Sequence, residues 1–401
     1  MKKALFRIGD VVLGGLGFVL VLWPVRLRRR IAGPTGRGSV FSRALLSVIF
    51  LLLYYVCVVE AAVRVVRLVQ GHPTSPSWRY VDDRFLYAFH PFRAMELRPG
   101  ADVVHGTAGF HNEDGLEYHV NDRGGRGPSL APKESGRRRI VCLGGSTTFG
   151  TGIRESDTWP ARLAALAPGW SVMNAGVSGY TSQHVLAFAQ GSLLDLEPDL
   201  LILYLGRNDM HANESYHVDR FRPDYAHMHG VRIEPEGLHK WLLRHSWVAL
   251  TIARWRRGVS SGIGRVMRRH GPPITTMGPR GLAAFRRNIE DLLVLAARRG
   301  ALVLLLSEAP GYLPVELADG TPNPHLAHLA RDAPGVAPEV YTAGLERYAD
   351  ELRATGAPFV DLARELPRDP SLFVDSIHLS GKGGAEIARR ILPVVRKLLE
   401  E

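Results

Sequence analysis

Short apolar segments alternate with amphipathic ones from Arg137 to the C-terminus, and this alternation limits the folds open to the chain more than any other feature. The apolar segments have the length of strands, and they are Ile140–Leu143, Trp170–Met173, Leu200–Leu205, Leu302–Leu306 and Phe359–Leu362. Helical periodicity lies between and after them, at Trp159–Leu166, Thr181–Leu194, Gly281–Arg299, Val340–Thr355 and Gly384–Leu399. Strands that alternate with helices form a parallel sheet covered on both faces. The sequence therefore predicts an α/β fold, a three-layer α/β/α sandwich with a parallel sheet.

The N-terminal part of the chain carries apolar stretches of membrane-spanning length. Ala44–Val66 has 16 uncharged residues before Glu60, and Arg64 follows one helical turn later. We predict a transmembrane helix at about 44–66, because a helix buried in a protein core is rarely this long. A shorter apolar stretch, Val11–Val25, contains three glycines and Pro24. It predicts a helix at about 5–25 that either spans the membrane or lies in its interface.

Positive charge is concentrated beside these apolar stretches. Of the net charge of +11, residues 1–70 supply most, with 11 Lys and Arg against two acids, which leaves only +2 for the rest. Six arginines lie between residues 26 and 43, and short Arg-rich loops stay in the cytoplasm. The charge therefore predicts a protein of the cell membrane whose main domain faces the periplasm or the cell exterior, and it argues against nucleic acid as a partner. A cleaved signal peptide would also export the chain, but a small-residue cleavage site is missing.

Cysteines and histidines give no indication of a disulfide framework, a metal or a cofactor. The two cysteines are Cys57, inside the apolar stretch, and Cys142, inside a predicted buried strand. No metal-ligand spacing is found among the four histidines that precede the sheet, His90, His105, His111 and His119. We therefore expect no metal and no cofactor.

Three regions follow from these patterns. Residues 1–70 form the membrane anchor. Residues 71–136 are rich in Gly, Pro, Asp and His, with short strand-like pieces such as Glu117–Val120, and predict an irregular, partly β pre-domain. Residues 137–401 form the main domain, interrupted by an insertion at about 211–280.

The insertion is basic and rich in tryptophan. Between Glu236 and Glu290 the chain has 11 Lys and Arg, no acid and three tryptophans. Such a segment can lie on an anionic membrane surface as an amphipathic helix or cover the active site as a lid. A packed pair of surface helices is the third interpretation, and the sequence leaves all three open.

A serine lies in the glycine-rich turn after the first predicted strand. Ser146 follows Gly144 and Gly145 at the carboxyl end of that strand, where open α/β sheets place their sites. Glycines let the backbone turn sharply and expose the hydroxyl. No Lys-Ser/Thr pair and no G-x-G-x-x-G follows, which excludes phosphate-binding and dinucleotide-binding loops. The turn leaves a nucleophilic and a structural serine as alternatives.

Three more loops carry polar residues at the ends of later elements. Asn174–Gly179 is a glycine-containing turn whose backbone N–H groups can point at an anion. Asn208 follows the next strand and either donates its side-chain NH₂ to a developing oxyanion or caps a helix. Its neighbour Arg207 either meets an anionic substrate group or forms a structural salt bridge. Asp375 and His378 precede the last helix, and they supply the base and the orienting acid that a serine nucleophile requires.

Together these four loops resemble the signature blocks of the SGNH/GDSL hydrolase superfamily, over roughly Arg137 to Glu400. The resemblance implies a flavodoxin-like SGNH fold, with Ser146 as nucleophile, His378 as general base and acid, and Asp375 as its orienting partner. It also implies an oxyanion hole made of the Ser146 and Gly179 backbone N–H groups and the Asn208 side chain.

The serine block departs from the usual pattern of the superfamily. It reads Gly-Gly-Ser-Thr-Thr instead of Gly-Asp-Ser. This form resembles a bacterial membrane-anchored envelope subgroup, in which segments similar to His90-Pro91-Phe92 and Asn121-Asp122-Arg123-Gly124 precede the domain.

The resemblance implies an enzyme, and the first expectation is a membrane-anchored serine esterase. It would remove an acyl group, acetyl before others, from an envelope glycan or lipid through an acyl-Ser146 intermediate. The alternative within enzymes is an O-acyltransferase, in which a sugar hydroxyl attacks that intermediate instead of water. A non-catalytic glycan-binding subunit is the third hypothesis. The expected partners are the membrane and an acylated small molecule, glycan or lipid as substrate.

Overall fold

The computed structural model describes residues 37–69, 86–105, 116–134, 136–212, 274–277 and 279–400, with short pieces between 241 and 256. Contacts divide the chain into two units, Met1–Val81 with Pro235–Ser261, and Asp82–Glu234 with Gly262–Glu401. The helix predicted at 5–25 lies outside the described residues. The domain boundaries after residues 70 and 136 and the limits of the insertion at 211–280 stay predictions.

The first unit contains one long helix, α1 (Arg37–Val69). Its segment Val48–Val69 is apolar and long enough to cross a membrane, and none of that apolar window is buried. The span predicted at 44–66 falls inside this helix. Only three charged residues interrupt Val48–Val69, and they are Glu60, Arg64 and Arg67. The described residues between 241 and 256, in the same unit, are helical except at Ser246.

Two short antiparallel strand pairs open the second unit. The first pair is β1 (Tyr87–His90) with β2 (Ala94–Leu97), and the second is β3 (Asp102–His105) with β4 (Leu116–His119). β4 alternates buried and exposed side chains, as a half-buried strand does. The partly β character predicted for this part of the chain agrees with these pairs.

A five-stranded parallel sheet forms the centre of the second unit. The strands are β5 (Arg139–Gly144), β6 (Ser171–Asn174), β7 (Leu200–Tyr204), β8 (Leu302–Leu306) and β9 (Phe359–Val360), and their order is β6-β5-β7-β8-β9. Every residue of β5 and β7 is buried, as expected for central strands with helices on both faces. The predicted α/β fold with a parallel sheet is confirmed.

Helices cover both faces of this sheet. They are α2 (Ser146–Phe149), α3 (Trp159–Leu166), α4 (Ser182–Phe188), α5 (Arg207–Met210), α6 (Pro279–Arg298), α7 (Leu326–Asp332), α8 (Pro338–Ala354), α9 (Leu362–Glu365) and α10 (Gly381–Glu400). Ile140, Leu200 and Leu304 pack in one cluster with α3 and α10. Because strand side chains alternate between faces, Val141 and Leu201 point the other way. On that face α6 packs against both α4 and α8 to form the third layer.

Two predicted elements extend two or more residues beyond the end of those observed. The helix predicted at Thr181–Leu194 is α-helical only to Phe188 and then continues as a π turn, Ala189–Leu193, and a 3₁₀ turn, Leu194–Leu196. Gly191 lies in the π turn, and glycine disfavours a regular helix. The strand predicted at Phe359–Leu362 ends at Val360, since β9 is an edge strand and α9 begins at Leu362.

Strand order reverses next to β5, which has β6 on one side and β7 on the other. Open α/β sheets bind ligands outside the carboxyl ends of their strands at such a reversal. Ser146 follows β5 and Asn208 follows β7, so the fold places both at this point.

Candidate active site

Three of the predicted site residues form a continuous hydrogen-bonded chain. Nε2 of His378 lies 2.7 Å from Oγ of Ser146, and Nδ1 of the same ring lies 2.7 Å from Oδ2 of Asp375. These distances are those of a base in contact with a nucleophile and of an acid in contact with the base. The serine proton can therefore pass to Nε2 while Asp375 holds the other ring nitrogen.

Asp375 is fixed before it meets the histidine. Its side chain is only 1% exposed, and its Oδ1 accepts the backbone N–H groups of Ile377 at 2.9 Å and His378 at 2.7 Å. This turn explains the spacing of three residues between acid and base, since the carboxylate folds back on the backbone that carries the imidazole. The two N–H donors suit the carboxylate to its role as a fixed negative partner for an imidazolium.

Asn208 lies against the backbone that precedes Ser146. A Cβ on Gly145 would come within 2.3 Å of Asn208 Nδ2, so only glycine permits this approach. Nδ2 donates one hydrogen bond to Tyr180 O at 2.9 Å. An amide nitrogen carries two hydrogens, and the second remains as a donor for a substrate oxygen.

The other two predicted oxyanion donors belong to backbone. Ser146 begins α2, and the first N–H groups of a helix have no intrahelical acceptor. Gly179 has φ of +88°, in the left-handed region, at the turn that leads to Tyr180. The structure brings Ser146, Asn208, His378 and Asp375 together, with Gly179 on the turn that holds Asn208.

Arg126, in the region before the sheet, contacts the short helix that begins with Ser146. Its guanidinium donates to Phe149 O at 2.7 Å, Gly150 O at 2.6 Å and Ile153 O at 2.7 Å. Asn174 Nδ2 also donates to Phe149 O, at 3.3 Å. The last carbonyls of a helix have no intrahelical donor, and α2 has only four residues, so these side chains complete it.

Sequence reasoning did not identify Arg126 as a functional residue. The guanidinium lies over the rings of Tyr118 and Phe149, 4.5 Å and 4.8 Å from their centroids, and Tyr118 Oη accepts the Gly152 N–H at 2.9 Å. The arginine follows closely on the Asn121–Gly124 segment. Asn121 builds that turn, because its Oδ1 accepts the N–H groups of Arg123 and Gly125. The resemblance of Asn121–Gly124 to the envelope subgroup indicated this region of the chain, but it did not show that Arg126 contacts α2.

Asp209 has a comparable supporting role behind Asn208. It is fully buried, and its carboxylate accepts the Ser182 hydroxyl at 2.6 Å and the Ser182 backbone N–H at 3.1 Å. Ser182 Oγ in turn accepts Nδ2 of Asn288 at 2.9 Å. These bonds join α5, α4 and α6 and fix the start of the helix that carries Asn208.

The β1–β2 hairpin lies beside the turn that carries Gly179. Tyr180 Oη donates to Met95 O at 2.7 Å, and a Cβ on Gly179 would lie 3.3 Å from Met95 Cε. Phe92, at the hairpin tip, is 78% exposed. The hairpin whose tip is His90-Pro91-Phe92 therefore contacts the turn that carries Gly179 through Met95.

Arg207 belongs to a buried ion pair. Its side chain is mostly buried, and Nη2 lies 3.8 Å from Asp332 Oδ2. This contact corresponds to the salt-bridge alternative for Arg207. Glu308 is buried nearby, and burial raises the pKa of its carboxyl to about 8 despite the favourable charge of Arg207.

No group of three or more potential metal ligands lies together among the residues that the structure describes. His90 binds the backbone N–H groups of Phe92 and Arg93 through Nδ1, both at 3.2 Å. His119 pairs with Asp102 across the β3–β4 ladder. His111 lies outside the described residues.

Comparison with known proteins gives one family and several similar structures. The profile of the GDSL-like Lipase/Acylhydrolase family matches residues 142–385. A curated acetylxylan esterase of Xylanibacter ruminicola is 32% identical over 136 residues, which are 31% of this chain and 28% of that protein. This chain therefore matches less than a third of the length of that esterase.

Solved structures with similarity to this chain include two enzymes and one family member. A GDSL-like lipase of Bacteroides thetaiotaomicron has 18% identity, covers 67% of this chain and 92% of its own, and gives a TM-score of 0.38. A carbohydrate acetylesterase family member of Sinorhizobium meliloti has 19% identity, 66% and 100% coverage, and the same TM-score. The aryl esterase of M. smegmatis has 16% identity, 65% and 99% coverage, and a TM-score of 0.39.

Proposed function

The chain belongs to the GDSL-like lipase/acylhydrolase family, and from this premise we propose that it is a membrane-anchored serine ester hydrolase that removes an acyl group from a glycan or lipid of the cell envelope. The observation that carries the proposal is the contact of Ser146 Oγ with Nε2 of His378, whose other nitrogen contacts the buried Asp375. Ester hydrolysis needs this set of groups, and binding alone does not.

The chemistry proceeds in two half-reactions. His378 takes the Ser146 proton as Oγ attacks the ester carbonyl, and the negative oxygen that forms is stabilised by the N–H groups of Ser146 and Gly179 and by the Asn208 amide. His378 then gives its proton to the leaving alkoxide, and the acyl group remains on Ser146. Water attacks the acyl-serine as His378 takes its proton, and the bond from the acyl carbon to Ser146 Oγ breaks. His378 returns the proton to Oγ, and the carboxylic acid is released.

Acetyl is the acyl group that we propose. The curated relative is an acetylxylan esterase, and its match to this chain is a local one. Phe92, exposed on the hairpin beside the Gly179 turn, is a candidate for stacking on a sugar ring, since aromatic faces suit the apolar face of a pyranose.

Membrane anchoring is the second part of the proposal. α1 contains a segment of spanning length, Val48–Val69, with no part of its apolar window buried. Arginines concentrate before it, between residues 26 and 43, which favours a cytoplasmic N-terminal side. The hydrolase domain would then face the periplasm or the cell exterior and reach envelope substrates.

The test is turnover of p-nitrophenyl acetate and of acetylated xylan by the detergent-solubilised full chain. We expect the Ser146→Ala variant to be inactive. The Ser178→Ala variant is expected to keep most of the activity, because the hydrogen bond described for Ser178 Oγ is with Thr151 Oγ1. Full activity of Ser146→Ala would exclude the proposal.

The same assay separates hydrolysis from acyl transfer. With deacetylated oligosaccharide added, a hydrolase releases nitrophenol at an unchanged rate and the sugar keeps its mass. If the sugar accelerates nitrophenol release and gains acetyl groups, the enzyme is an O-acyltransferase that uses the same acyl-Ser146 intermediate.

A further inference from the structure

The anchor helix carries an ionic pair inside its apolar segment. Arg64 Nε lies 3.0 Å from Glu60 Oε1, and both side chains are largely buried, although the surrounding apolar side chains of α1 are exposed. Ionised side chains inside a membrane are costly unless other groups satisfy them, and they mark functional positions. The groups that bury this pair therefore require an explanation.

The basic insertion supplies these groups. Glu60 Oε2 accepts the Ser246 hydroxyl at 2.9 Å and the Val248 N–H at 3.0 Å, and Oε1 accepts the Trp247 N–H at 3.0 Å. With Arg64, the carboxylate has four donors, which is its full capacity. These contacts join residues that are more than 180 positions apart in the sequence.

The contact has the form of a helix cap. Trp247 and Val248 begin a helical turn, so their N–H groups have no acceptor within it, and Ser246 Oγ accepts the Ala249 N–H at 3.1 Å. Arg64 Nη2 donates to His245 O at 2.5 Å, on the other side of the turn. The negative side chain of Glu60 thus accepts hydrogen bonds from Ser246–Val248, and the positive side chain of Arg64 donates one to the preceding residue, His245.

Arg67 extends the same contact by one turn of α1. Its guanidinium carbon lies 3.9 Å from the centroid of the Trp247 ring, and Trp247 is buried. Along a helix axis, Glu60 and Arg67 are about 10 Å apart at 1.5 Å per residue. Residues 245–248 therefore lie along the last two turns of the apolar segment, where a spanning helix reaches the headgroups.

Other apolar side chains of the insertion remain exposed. Trp241 is 49% exposed, Ile252 51% and Trp255 67%. Tryptophan is enriched at the boundary between hydrocarbon and water, and Lys and Arg bind anionic headgroups. Between Glu236 and Gly281 the insertion has nine Lys and Arg and no acid.

We propose that the described residues between 241 and 256 are an interfacial part of the membrane anchor, bound to α1 through Glu60, with Trp241, Ile252 and Trp255 in the headgroup region of an anionic bilayer. This inference rests on the anchor assigned to α1 under the proposed function. Of the three interpretations that the sequence leaves open for the insertion, it selects the membrane surface for this segment.

A fluorescent probe at position 252 tests the proposal. The full chain carries Cys57→Ser and Ile252→Cys, and Cys142 stays unlabelled because it is completely buried. A bimane group attached to the thiol introduced by Ile252→Cys is quenched by nitroxide lipids if it lies in the bilayer and by iodide if it lies in water. The matched control is Arg389→Cys on the exposed surface of α10, in the same background.

In vesicles of phosphatidylcholine with phosphatidylglycerol, we expect nitroxide lipids to quench the 252 probe and iodide to quench the 389 probe. Adding Glu60→Gln, which removes the charge and one acceptor oxygen, is expected to make the 252 probe accessible to iodide while the chain stays in the vesicles. Hydrolysis of p-nitrophenyl acetate is expected to be the same with and without Glu60→Gln.

Three outcomes overturn the proposal. If the chain is retained but iodide quenches the 252 probe of the parent protein, the segment faces water and only this inference fails. If neither quencher reaches the probe, a protein covers the segment instead of lipid. A chain that washes off the vesicles refutes the anchor itself and this inference with it.

Discussion

Replacement of Arg126 tests whether the nucleophile is held from the region before the sheet. The guanidinium donates three hydrogen bonds of 2.6–2.7 Å to carbonyls at and just after the end of α2, the helix that begins with Ser146. Burial lowers the pKa of Arg126 to about 10, so the side chain is still cationic at neutral pH. The bonds are therefore charge-assisted.

The magnitude follows from what remains after the change. In Arg126→Met a side chain of similar length fills the space, but three buried carbonyls lose a charged donor. Phe149 O keeps Asn174 Nδ2 at 3.3 Å, so two carbonyls lose most. At about 1–3 kcal/mol for each unsatisfied buried group, the cost is about 2–6 kcal/mol. Domains have about 5–15 kcal/mol of stability, so we expect a folded protein with a lower Tm.

Catalysis is expected to fall for a separate reason. Ser146 Oγ now lies 2.7 Å from His378 Nε2, and a displacement of about 1 Å in such a contact lowers the rate by about 10²-fold. We expect kcat of Arg126→Met to fall by about 10- to 100-fold with KM nearly unchanged, since no substrate contact is removed. Arg126→Lys recovers only part of kcat, because lysine lacks the planar fork that meets several carbonyls.

The assay uses p-nitrophenyl acetate well below the Tm of each variant, with the rate of Ser146 labelling by a fluorophosphonate as a second measure of its reactivity. Arg123→Met is the matched control, because Arg123 is close in sequence and largely exposed. Wild-type kcat and labelling rate in Arg126→Met, together with a lowered Tm, would show that Arg126 stabilises the fold without positioning the nucleophile.

Three further predictions concern the oxyanion donor, a buried carboxyl and the topology. Asn208→Ala removes one oxyanion donor and is expected to lower kcat by about 10²–10³-fold. The variant also loses the hydrogen bond to Tyr180 O, so we expect a folded protein with a slightly lower Tm; an unchanged kcat would exclude Asn208 from the oxyanion hole. Burial raises the pKa of Glu308 to about 8, whereas the pKa of a glutamate in an unfolded chain is about 4.3. Between these two pKa values the folded state keeps a proton that the unfolded state releases. The contribution of Glu308 to stability is therefore full below about pH 4.3 and is lost as the pH rises to about 8. In Glu308→Gln the Tm is expected to fall less than in wild type over that range in thermal melts, and identical pH profiles would contradict this. Protease added to intact spheroplasts is expected to degrade the hydrolase domain. Cleavage only after lysis would show that the domain faces the cytoplasm.

Part of the fold could be predicted from the sequence because its signals are local. Alternation of apolar strands and amphipathic helices is set by burial on two faces of a sheet, and β8 (Leu302–Leu306) and α3 (Trp159–Leu166) have the predicted bounds. The run from Ala44 to Val66 lies inside α1 for the same reason. Where burial is partial, as at the edge strand β9 and after Phe188, the local signal was weaker and the predicted bounds were too long.

The part of the candidate site that lies in loops directly after strands could be predicted from the sequence. Parallel strands end at one edge of a sheet, so residues after β5 and β7 are neighbours whatever the length of chain between them. The fixed spacing of Asp375 and His378 is also local, since the carboxylate binds the backbone of its own turn. The contact of His378 with Ser146 joins residues 232 positions apart, and it forms only because the order of the strands brings their loops together.

Tertiary structure alone decided which distant polar groups meet. Arg126 is one of many arginines in the sequence, and nothing in its neighbourhood predicts that its guanidinium binds the carbonyls after Ser146. Glu60 is likewise a single acid in an apolar run, and its partners at Ser246–Val248 lie in another part of the chain. Periodicity records how a segment divides its surface between solvent and core. A side-chain hydrogen bond instead depends on the position and direction of two groups within tenths of an ångström, which only the packed chain defines.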